Sequence, residues 1–187
     1  MARVIENPKE LILNKSKEIL YNEGYSKLSM RHVAKECDIA LGTIYNYYPT
    51  KKDLVMEMMI DYWKEYFFSL EKLISSDDPF YIKLNKLFDE LQAFIKTFKE
   101  IWLKREFYDT PDFVESGLEK EFFYMKQLVE KVEFILIEES SKINSEIHLK
   151  QSSNETAEFI VLNFITIIQM PFFKYSSFET ILKELFK

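Results

Sequence analysis

The side chains best suited to hydrogen bonding and ionic contact lie close together near the amino terminus. Hydroxyl, amide and cationic groups alternate there with apolar residues from Leu28 to Leu54. Such groups bind polar partners, whereas proton transfer or metal ligation would need clustered histidines, carboxylates or thiols. The whole chain has 2 His and 1 Cys. We therefore expect this stretch to bind a partner rather than to catalyse a reaction.

Two short helical patterns separated by a tight turn position these side chains. In the first pattern, apolar residues recur at steps of three and four after Ser29, which suits an N-cap. Asp38 supplies the turn. The first pattern consists of Met30, Val33, Ala34 and Cys37, and the second of Leu41, Ile44, Tyr45 and Tyr48. This arrangement predicts a helix-turn-helix over residues 29–48, a motif that places its second helix in the major groove of DNA.

The polar side of the second helix and the start of the next helix supply the candidate contacts. The residues largely opposite the apolar face are Ala40, Thr43, Asn46 and Tyr47. Pro49 ends this helix, and Thr50 caps the next one with Asp53 in the capping-box position. Lys51 therefore sits where backbone N–H groups and a side-chain charge can meet a phosphate together.

The segments Gly24-Tyr25, LSMRHVA and GTIYNYYPTKKDL resemble the N-terminal domain of the TetR (tetracycline-repressor) family of transcriptional regulators. The resemblance covers roughly the first third of the chain. It implies an all-α protein of about nine helices, with a helix-turn-helix DNA-binding domain over residues 1–54. Residues 55–187 would form a C-terminal ligand-binding and dimerisation domain. The implied partners are a double-stranded DNA operator, a small-molecule effector and a second copy of the chain, with repression as the commoner mode.

Three positions depart from the family's pattern. Asp38 replaces the usual turn glycine, and Asp visits the αL region more readily than most residues. Leu41 stands where many members carry a polar or basic residue, and it can touch a thymine methyl. Lys52 stands where an acidic residue is common. These changes leave the predicted fold intact.

The resemblance also implies which side chains contact the duplex. Arg31 matches a position that reaches a base and can donate twice to guanine O6 and N7; the alternative is a solvated surface charge. Tyr45 shares the spacing of Ile44 and Tyr48, so packing is its alternative. The predicted DNA-binding residues are Ser29, Arg31, Leu41, Thr43, Tyr45, Asn46, Tyr47 and Lys51. His32 is expected at the surface, with an accessory DNA contact as the alternative.

Composition and charge agree with a helical DNA-binding protein. The chain has 187 residues, of which 47% are hydrophobic, with 3 Gly and 5 Pro, so long helices are expected. The formal net charge is −6, but residues 1–55 carry nine Lys/Arg against seven Asp/Glu. A mildly basic head on an acidic body predicts modest, salt-sensitive DNA affinity unless two heads act together.

A cytoplasmic protein is expected. The lone cysteine, Cys37, lies on an apolar helix face, so a core role is favoured over redox sensing. Residues 1–7 lack the apolar centre of a secretory signal. The most apolar stretch, residues 159–173, is interrupted by polar residues and shorter than the roughly 20 residues that cross a bilayer.

Caps and apolar stripes predict the other helices. The first helix has Asn7 as N-cap, Glu10 in a capping box, and Gly24 beyond its end; its inward face is Ile12, Ser16, Ile19 and Leu20. The fourth runs from Lys51 to about Ile74, roughly 35 Å. Later stripes are Leu84, Leu87, Phe88, Leu91, Phe94, Ile95 and Phe98, and then Leu118, Phe122, Met125, Val129, Val132 and Leu136. Between them lies a short aromatic segment over residues 101–108.

The carboxyl-terminal third predicts self-association. A polar loop is expected over residues 140–154, with His148 exposed, before a helix that is apolar nearly all round over residues 159–168. A last helix is expected after a Ser176–Glu179 capping box. The apolar faces of such helices must be covered by other protein surface. The family resemblance implies that the last two helices of two copies pack as a four-helix bundle. The alternative is that these helices complete the monomer's own core. The predicted dimer residues are Phe159, Leu162, Ile167, Phe178, Ile181, Leu182 and Leu185.

The middle helices carry an aromatic-rich zone in which a small apolar or aromatic effector could bind. Its candidate residues are Phe94, Phe98, Trp102, Phe107, Tyr108, Phe122, Tyr124 and Met125. Aromatic stripes at helical spacing are also typical of a core, which remains the alternative for each.

No enzyme is expected. The sequence lacks a glycine-rich phosphate loop, Gly-x-Ser-x-Gly and His-Glu-x-x-His, and two isolated histidines with one cysteine do not make a usual zinc site. We therefore predict no catalytic residues, metal or cofactor. The competing hypothesis is a helical interaction module whose helix-turn-helix docks a protein instead of DNA.

Overall fold

The computed structural model describes residues 6–102, 111–143, 145, 147–170 and 172–187. Among these residues it contains eight α-helices and no strand. In chain order they are α1 (Pro8–Glu23), α2 (Met30–Glu36), α3 (Leu41–Tyr47), α4 (Lys51–Ile74), α5 (Phe80–Trp102), α6 (Pro111–Ser140), α7 (Ser153–Gln169) and α8 (Tyr175–Leu185). The all-α prediction is confirmed. Beyond Ile101 and Trp102, which end α5, the predicted short aromatic segment lies outside the described residues.

The chain divides into two units. The first comprises Met1–Glu65 with Lys99–Ser116, and the second comprises Tyr66–Phe98 with Gly117–Lys187. The helix α4 begins in the first unit and ends in the second. None of the helices in the described part of the chain has the length and apolar character required to cross a membrane.

The first unit is built from helices whose ends are set by local chemistry. In α1, the side chain of Asn7 accepts the Glu10 N–H, and Gly24 follows the helix at φ +89°. All four residues of the predicted inward face of α1 are buried. The N–H of Thr50 donates to the Asp53 carboxylate at 2.9 Å, and the Asp53 N–H donates to the Thr50 hydroxyl at 3.1 Å. The predicted capping box at the start of α4 is therefore confirmed.

The second unit has a core of leucine and aromatic side chains from α5 to α8. The α5 stripe is buried from Leu84 to Phe94, as predicted. The α6 stripe was wrong at Phe122, which is 73% exposed, and the buried face of α6 passes through Tyr124 and Leu128 instead. The side chain of Leu118, where the predicted stripe begins, lies outside what the structure describes. Steps of four drift slowly around a helix of 3.6 residues per turn, so several apolar lines fit one long helix.

The last two helices begin elsewhere than predicted. Helix α7 starts at Ser153, because Ser152 and Glu155 form a capping box inside the stretch expected to be loop. Helix α8 starts at Tyr175, with Lys174 as N-cap and no side-chain cap, so the Ser176–Glu179 capping box was wrong. This earlier start places the Tyr175 ring against Phe88, at 4.7 Å between centroids, and near Phe164 and Phe178. Burial of that ring outweighs a single cap hydrogen bond.

Candidate DNA-binding site

The helix-turn-helix is held together by an N-cap and by a turn that uses Asp38. The Ser29 hydroxyl accepts the His32 N–H at 3.2 Å. At the other end of α2, the Asp38 N–H donates to the Lys35 carbonyl and the Ile39 N–H to the Ala34 carbonyl, both at 3.1 Å. These two bonds define a Schellman motif, which needs its central residue in the αL region. Asp38 has φ +53°, as its place in the turn predicted.

Helix α3 presents one apolar side to the core of the first unit and a polar side to solvent. Ile44 is 0% exposed and Tyr48 is 2% exposed, whereas Tyr45 and Tyr47 are 46% and 41% exposed. Of the two interpretations of Tyr45, the structure places the side chain outside the core. The other outward residues of α3 are Asn46, which is exposed, and Leu41 and Thr43, which are half-buried.

The start of α4 carries an anchored cation. The Nζ atom of Lys51 donates to the Tyr25 carbonyl at 3.2 Å and lies 3.5 Å from the centroid of the Tyr25 ring. An ammonium group has three N–H donors, and the first turn of α4 adds backbone N–H groups with the positive end of the helix dipole. No local sequence pattern identifies Tyr25 as the residue that orients Lys51, because their contact spans 26 residues.

On α2, Arg31 is exposed, as a base contact requires. Its neighbour His32 is half-buried rather than fully at the surface. The Nδ1 atom of His32 lies 3.1 Å from the Lys27 carbonyl, and its Nε2 atom lies 3.8 Å from Glu23 and 3.7 Å from Glu36. The Nδ1 atom is thus within hydrogen-bond distance of the chain's own backbone, whereas Nε2 lies beyond that distance from both carboxylates.

Cys37 belongs to the core of this unit. It is 5% exposed, and its Sγ atom lies 3.9 Å from the Leu11 carbonyl oxygen. Burial raises the pKa of the Cys37 thiol to about 11, so the reactive thiolate is scarce at neutral pH. The geometry therefore supports the core interpretation over redox sensing.

The comparisons with known proteins match this geometry. The sequence profile described as "Bacterial regulatory proteins, tetR family" covers residues 12–58, which include α2, the turn and α3. Residues 12–58 therefore carry the helix-turn-helix domain of TetR-family regulators. An uncharacterized HTH-type transcriptional regulator of Haemophilus influenzae is 28% identical over 46% of this chain, and another of Bacillus subtilis is 30% identical over 34%. The chain spans about half, 46%, of the first relative and 22% of the second.

Structural similarity to a TetR-fold protein extends beyond the helix-turn-helix. The crystal structure of a transcriptional regulator from Cytophaga hutchinsonii has a TM-score of 0.70 and 19% identity, and the match covers 96% of this chain and 93% of that one. At this identity the comparison shows the fold alone.

The predicted effector residues that the structure describes fall in two separate places of the second unit. Phe94, Phe98 and Tyr124 join an aromatic cluster, which we define as these three residues with Tyr66 and Phe67. Its ring centroids are 4.3 Å apart for Tyr66 and Phe94, 5.9 Å for Phe94 and Phe98, and 5.7 Å for Phe67 and Tyr124. The side chain of Trp102, and Phe107 and Tyr108 entirely, lie outside what the structure describes.

The other two effector candidates, Phe122 and Met125, line a groove between α6 and α7. The groove has a volume of about 1090 Å³. The groove is lined by apolar residues, among them Val161 and Leu162, and by glutamates of both helices. The structure therefore offers a packed aromatic cluster and an open apolar groove in place of the single predicted zone.

The predicted dimer residues also divide into two groups. Ile167, Phe178 and Leu182 are 5%, 2% and 0% exposed, so the chain's own core covers them. The exposed members are Phe159, Leu162, Ile181 and Leu185, at 43%, 63%, 49% and 49%. Of the predicted set, these four leave apolar surface on α7 and α8 for a partner to cover.

Proposed function

We propose that the chain is a ligand-responsive repressor, which binds a pseudo-palindromic operator as a homodimer and is released by a small apolar or aromatic effector. The observation that carries this proposal is the two-sided α3. Ile44 and Tyr48 hold the helix in the core while Tyr45, Asn46 and Tyr47 point outward at its polar side. Such a helix suits insertion into the major groove.

Each predicted contact residue then has a distinct role. Asn46 and Arg31 carry side chains that recognise base edges, whereas Leu41 suits a thymine methyl. Lys51 and the N–H groups at the start of α4 would bind a phosphate, which fixes register without reading sequence. Ser29 keeps a hydroxyl hydrogen to donate, since it accepts at the N-cap. We place the functional boundary after residue 54, so that residues 55–187 serve effector binding and dimerisation.

Dimerisation would supply the second recognition helix. One such helix reads only a few base pairs, and two related by a two-fold axis read a pseudo-palindrome. The four exposed apolar residues of α7 and α8 are the surface we assign to this contact.

The effector site is assigned to the second unit, in the aromatic cluster or in the α6–α7 groove. Mostly apolar walls with a few polar groups at the edge are typical of small-molecule sites. If the effector prefers the conformation that binds DNA poorly, DNA must weaken effector binding by the same factor, typically about 5- to 150-fold.

In vitro selection tests the proposal directly. The purified full-length protein is incubated with a random duplex library, and the enriched sequences are tested for two-fold symmetry and for affinity at rising salt. Effectors are then sought by thermal shift, because a ligand at about 100 times its Kd stabilises by about 2.7 kcal/mol. An effector found in this way should release the protein from the selected duplex. A protein that enriches no sequence and binds duplexes without salt dependence would favour protein docking and overturn the proposal.

A further inference from the structure

We propose that a row of ion pairs between α1 and α4 fixes the register of these two helices within the first unit, and that Lys17 is the positioning residue of that row. The row consists of Lys9 and Lys17 on α1 and of Glu57, Asp61 and Glu65 on α4. This inference rests on the proposed DNA-binding function, because the register it fixes is that of Lys51 with the recognition helix.

The pairing is continuous along both helices. The Nζ atom of Lys9 lies 3.1 Å from Glu57, and Nζ of Lys17 lies 2.8 Å from Glu65 and also bonds Asp61. Lys9 and Lys17 are eight residues apart, as are Glu57 and Glu65, so each set covers about 12 Å of helix. The two sets therefore match in length and in charge sign.

Lys17 stands out because it is a buried charge. The residue is 8% exposed, and a buried cation without partners is strongly unfavourable. Burial lowers the pKa of Lys17, but the bonds to Asp61 and Glu65 outweigh it and leave the pKa raised, so the group stays charged. Removing Lys17 alone would leave the Asp61 and Glu65 carboxylates without their cation, although their side chains, at 30% and 62% exposure, stay partly solvated. The two ion pairs of Lys17 form in only one position of α4 along α1.

A shift of α4 by one helical turn would break this arrangement. In one direction Lys17 would face Glu65 and Ser69, and so lose one of its two carboxylates. In the other direction Lys9 would face Asp53, which is already bonded to Thr50 in the capping box. The observed register alone satisfies both lysines and leaves the start of α4 capped.

This register matters for DNA because the two helices carry different contacts. Helix α1 packs against α2, and α2 packs against α3, so α1 holds the base-reading side chains. Helix α4 carries Lys51 at its first residue. The row therefore sets the spacing between the phosphate contact and the base contacts.

Lys17→Met tests the role of Lys17, with Lys15→Met as the matched control. Lys15 lies on the same helix but pairs with Glu18 of α1 itself, at 2.6 Å. We expect Lys17→Met to remain folded at the assay temperature, yet to bind the selected duplex about 5- to 150-fold more weakly than wild type, the usual range of coupling, whereas Lys15→Met should bind as wild type does. Equal affinity of the two folded variants would overturn the proposal.

Two further variants keep the test decisive. If Lys17→Met does not fold, the double variant Asp61→Asn, Glu65→Gln removes the row from the α4 side and must show the same loss of affinity. Reversing all three charges, with Lys17→Glu, Asp61→Lys and Glu65→Lys, should restore affinity to within a few-fold of wild type; a folded protein without recovery contradicts the proposal. Wild-type protein that enriches no duplex would instead overturn the proposed function.

Discussion

The ammonium group of Lys51 stacks 3.5 Å from the centroid of the Tyr25 ring and donates to the carbonyl of the same residue. A lysine at the first residue of a helix is thereby bound to the loop between α1 and α2. Its side chain loses much of its rotamer freedom before any partner arrives. Such preorganisation lowers the entropy cost of a phosphate contact.

The first prediction follows from this anchored charge. Lys51→Ala should weaken binding about equally on all duplex sequences and lower the slope of log affinity against log salt by about 1, because one phosphate contact is lost. Lys64→Ala is the control, since Lys64 is exposed on α4 about 20 Å further along the helix. Fluorescence anisotropy at several salt concentrations measures both. An unchanged slope would remove Lys51 from the contact surface.

Arg31→Ala should act on sequence preference instead. Loss of a bidentate contact to guanine costs about 1–3 kcal/mol at one base pair of each half-site and little elsewhere. Competition binding with single base-pair variants of the selected operator shows which pair is affected. A uniform loss would assign Arg31 to a phosphate, and no loss would leave it as a solvated charge.

Asp38→Gly should stabilise the helix-turn-helix. Glycine adopts the αL conformation of this turn without the penalty of a Cβ atom, so a gain of up to about 1 kcal/mol is expected. Asp77→Gly is the control, because Asp77 is an exposed turn residue without positive φ and should gain nothing. Urea unfolding of both variants compares them. A loss of stability in Asp38→Gly would mean that the Asp side chain itself stabilises the turn.

The starts of α1, α2 and α4 could be predicted from the sequence because local side chains cap them. Asn7, Ser29 and Thr50 each cap a helix through a side chain three residues from its backbone partner, and Gly24 and Asp38 adopt positive φ beyond helix ends. All of these signals act over a few residues. The start of α8 could not be predicted in this way, because packing of the Tyr175 ring decides it.

The exposed face of α3 was predictable in outline, whereas the contacts that orient Lys51 and Lys17 were not. The alternation of Ile44 and Tyr48 with polar neighbours already indicates an outward face on α3. The partners of Lys51 and Lys17 lie 26 and 44 residues away in sequence, and no spacing rule links them. Similarly, the exposed and buried members of the predicted dimer set alternate within single helices, so only the packing of the second unit separates them.

Alkaline pH should lower the free energy of unfolding through ionisation of the Cys37 thiol. The pKa of its thiol rises from 9.0 to about 11 on folding because of burial, so between these values the unfolded state releases a proton that the folded state keeps. Stability should be fully retained below pH 9 and fall by up to about 3 kcal/mol as pH rises to 11. Urea unfolding at pH 8 to 11 measures this loss, and Cys37→Ala should lose less over the same range.

Tyr48→Phe separates the contribution of one buried tyrosine, which begins about one pH unit above that of Cys37. Burial raises the pKa of Tyr48 from 10.0 to about 12, and its buried hydroxyl has no hydrogen-bond partner among the described residues. The variant should therefore match or exceed wild-type stability at pH 7, and it should keep the loss between pH 9 and 10 that Cys37 causes. If Cys37→Ala and wild type decline in parallel from pH 9 to 10, the Cys37 assignment is wrong.

Leu162→Glu should convert the dimer to a monomer without unfolding it. Leu162 is 63% exposed, so a charge there stays solvated in one chain and becomes buried only at the assigned interface. Ile143→Glu, at a fully exposed position beyond α6, is the control and should stay dimeric. Leu182→Ala should behave differently, with a loss of about 2–5 kcal/mol in stability, because Leu182 lies in the chain's own core.

Sedimentation equilibrium over a range of concentrations separates these outcomes, and DNA binding extends the test. When two DNA-binding domains are linked in a dimer, binding of the first raises the effective concentration of the second at its half-site. The Leu162→Glu monomer should therefore bind the two-fold symmetric duplex more weakly than wild type. The slope of its log affinity against log salt should be about half that of wild type. A dimeric Leu162→Glu protein would exclude this face of α7. A monomeric variant with the same salt slope as wild type would show that one DNA-binding domain already makes all of the phosphate contacts. Pairing through α7 would then not position the second domain.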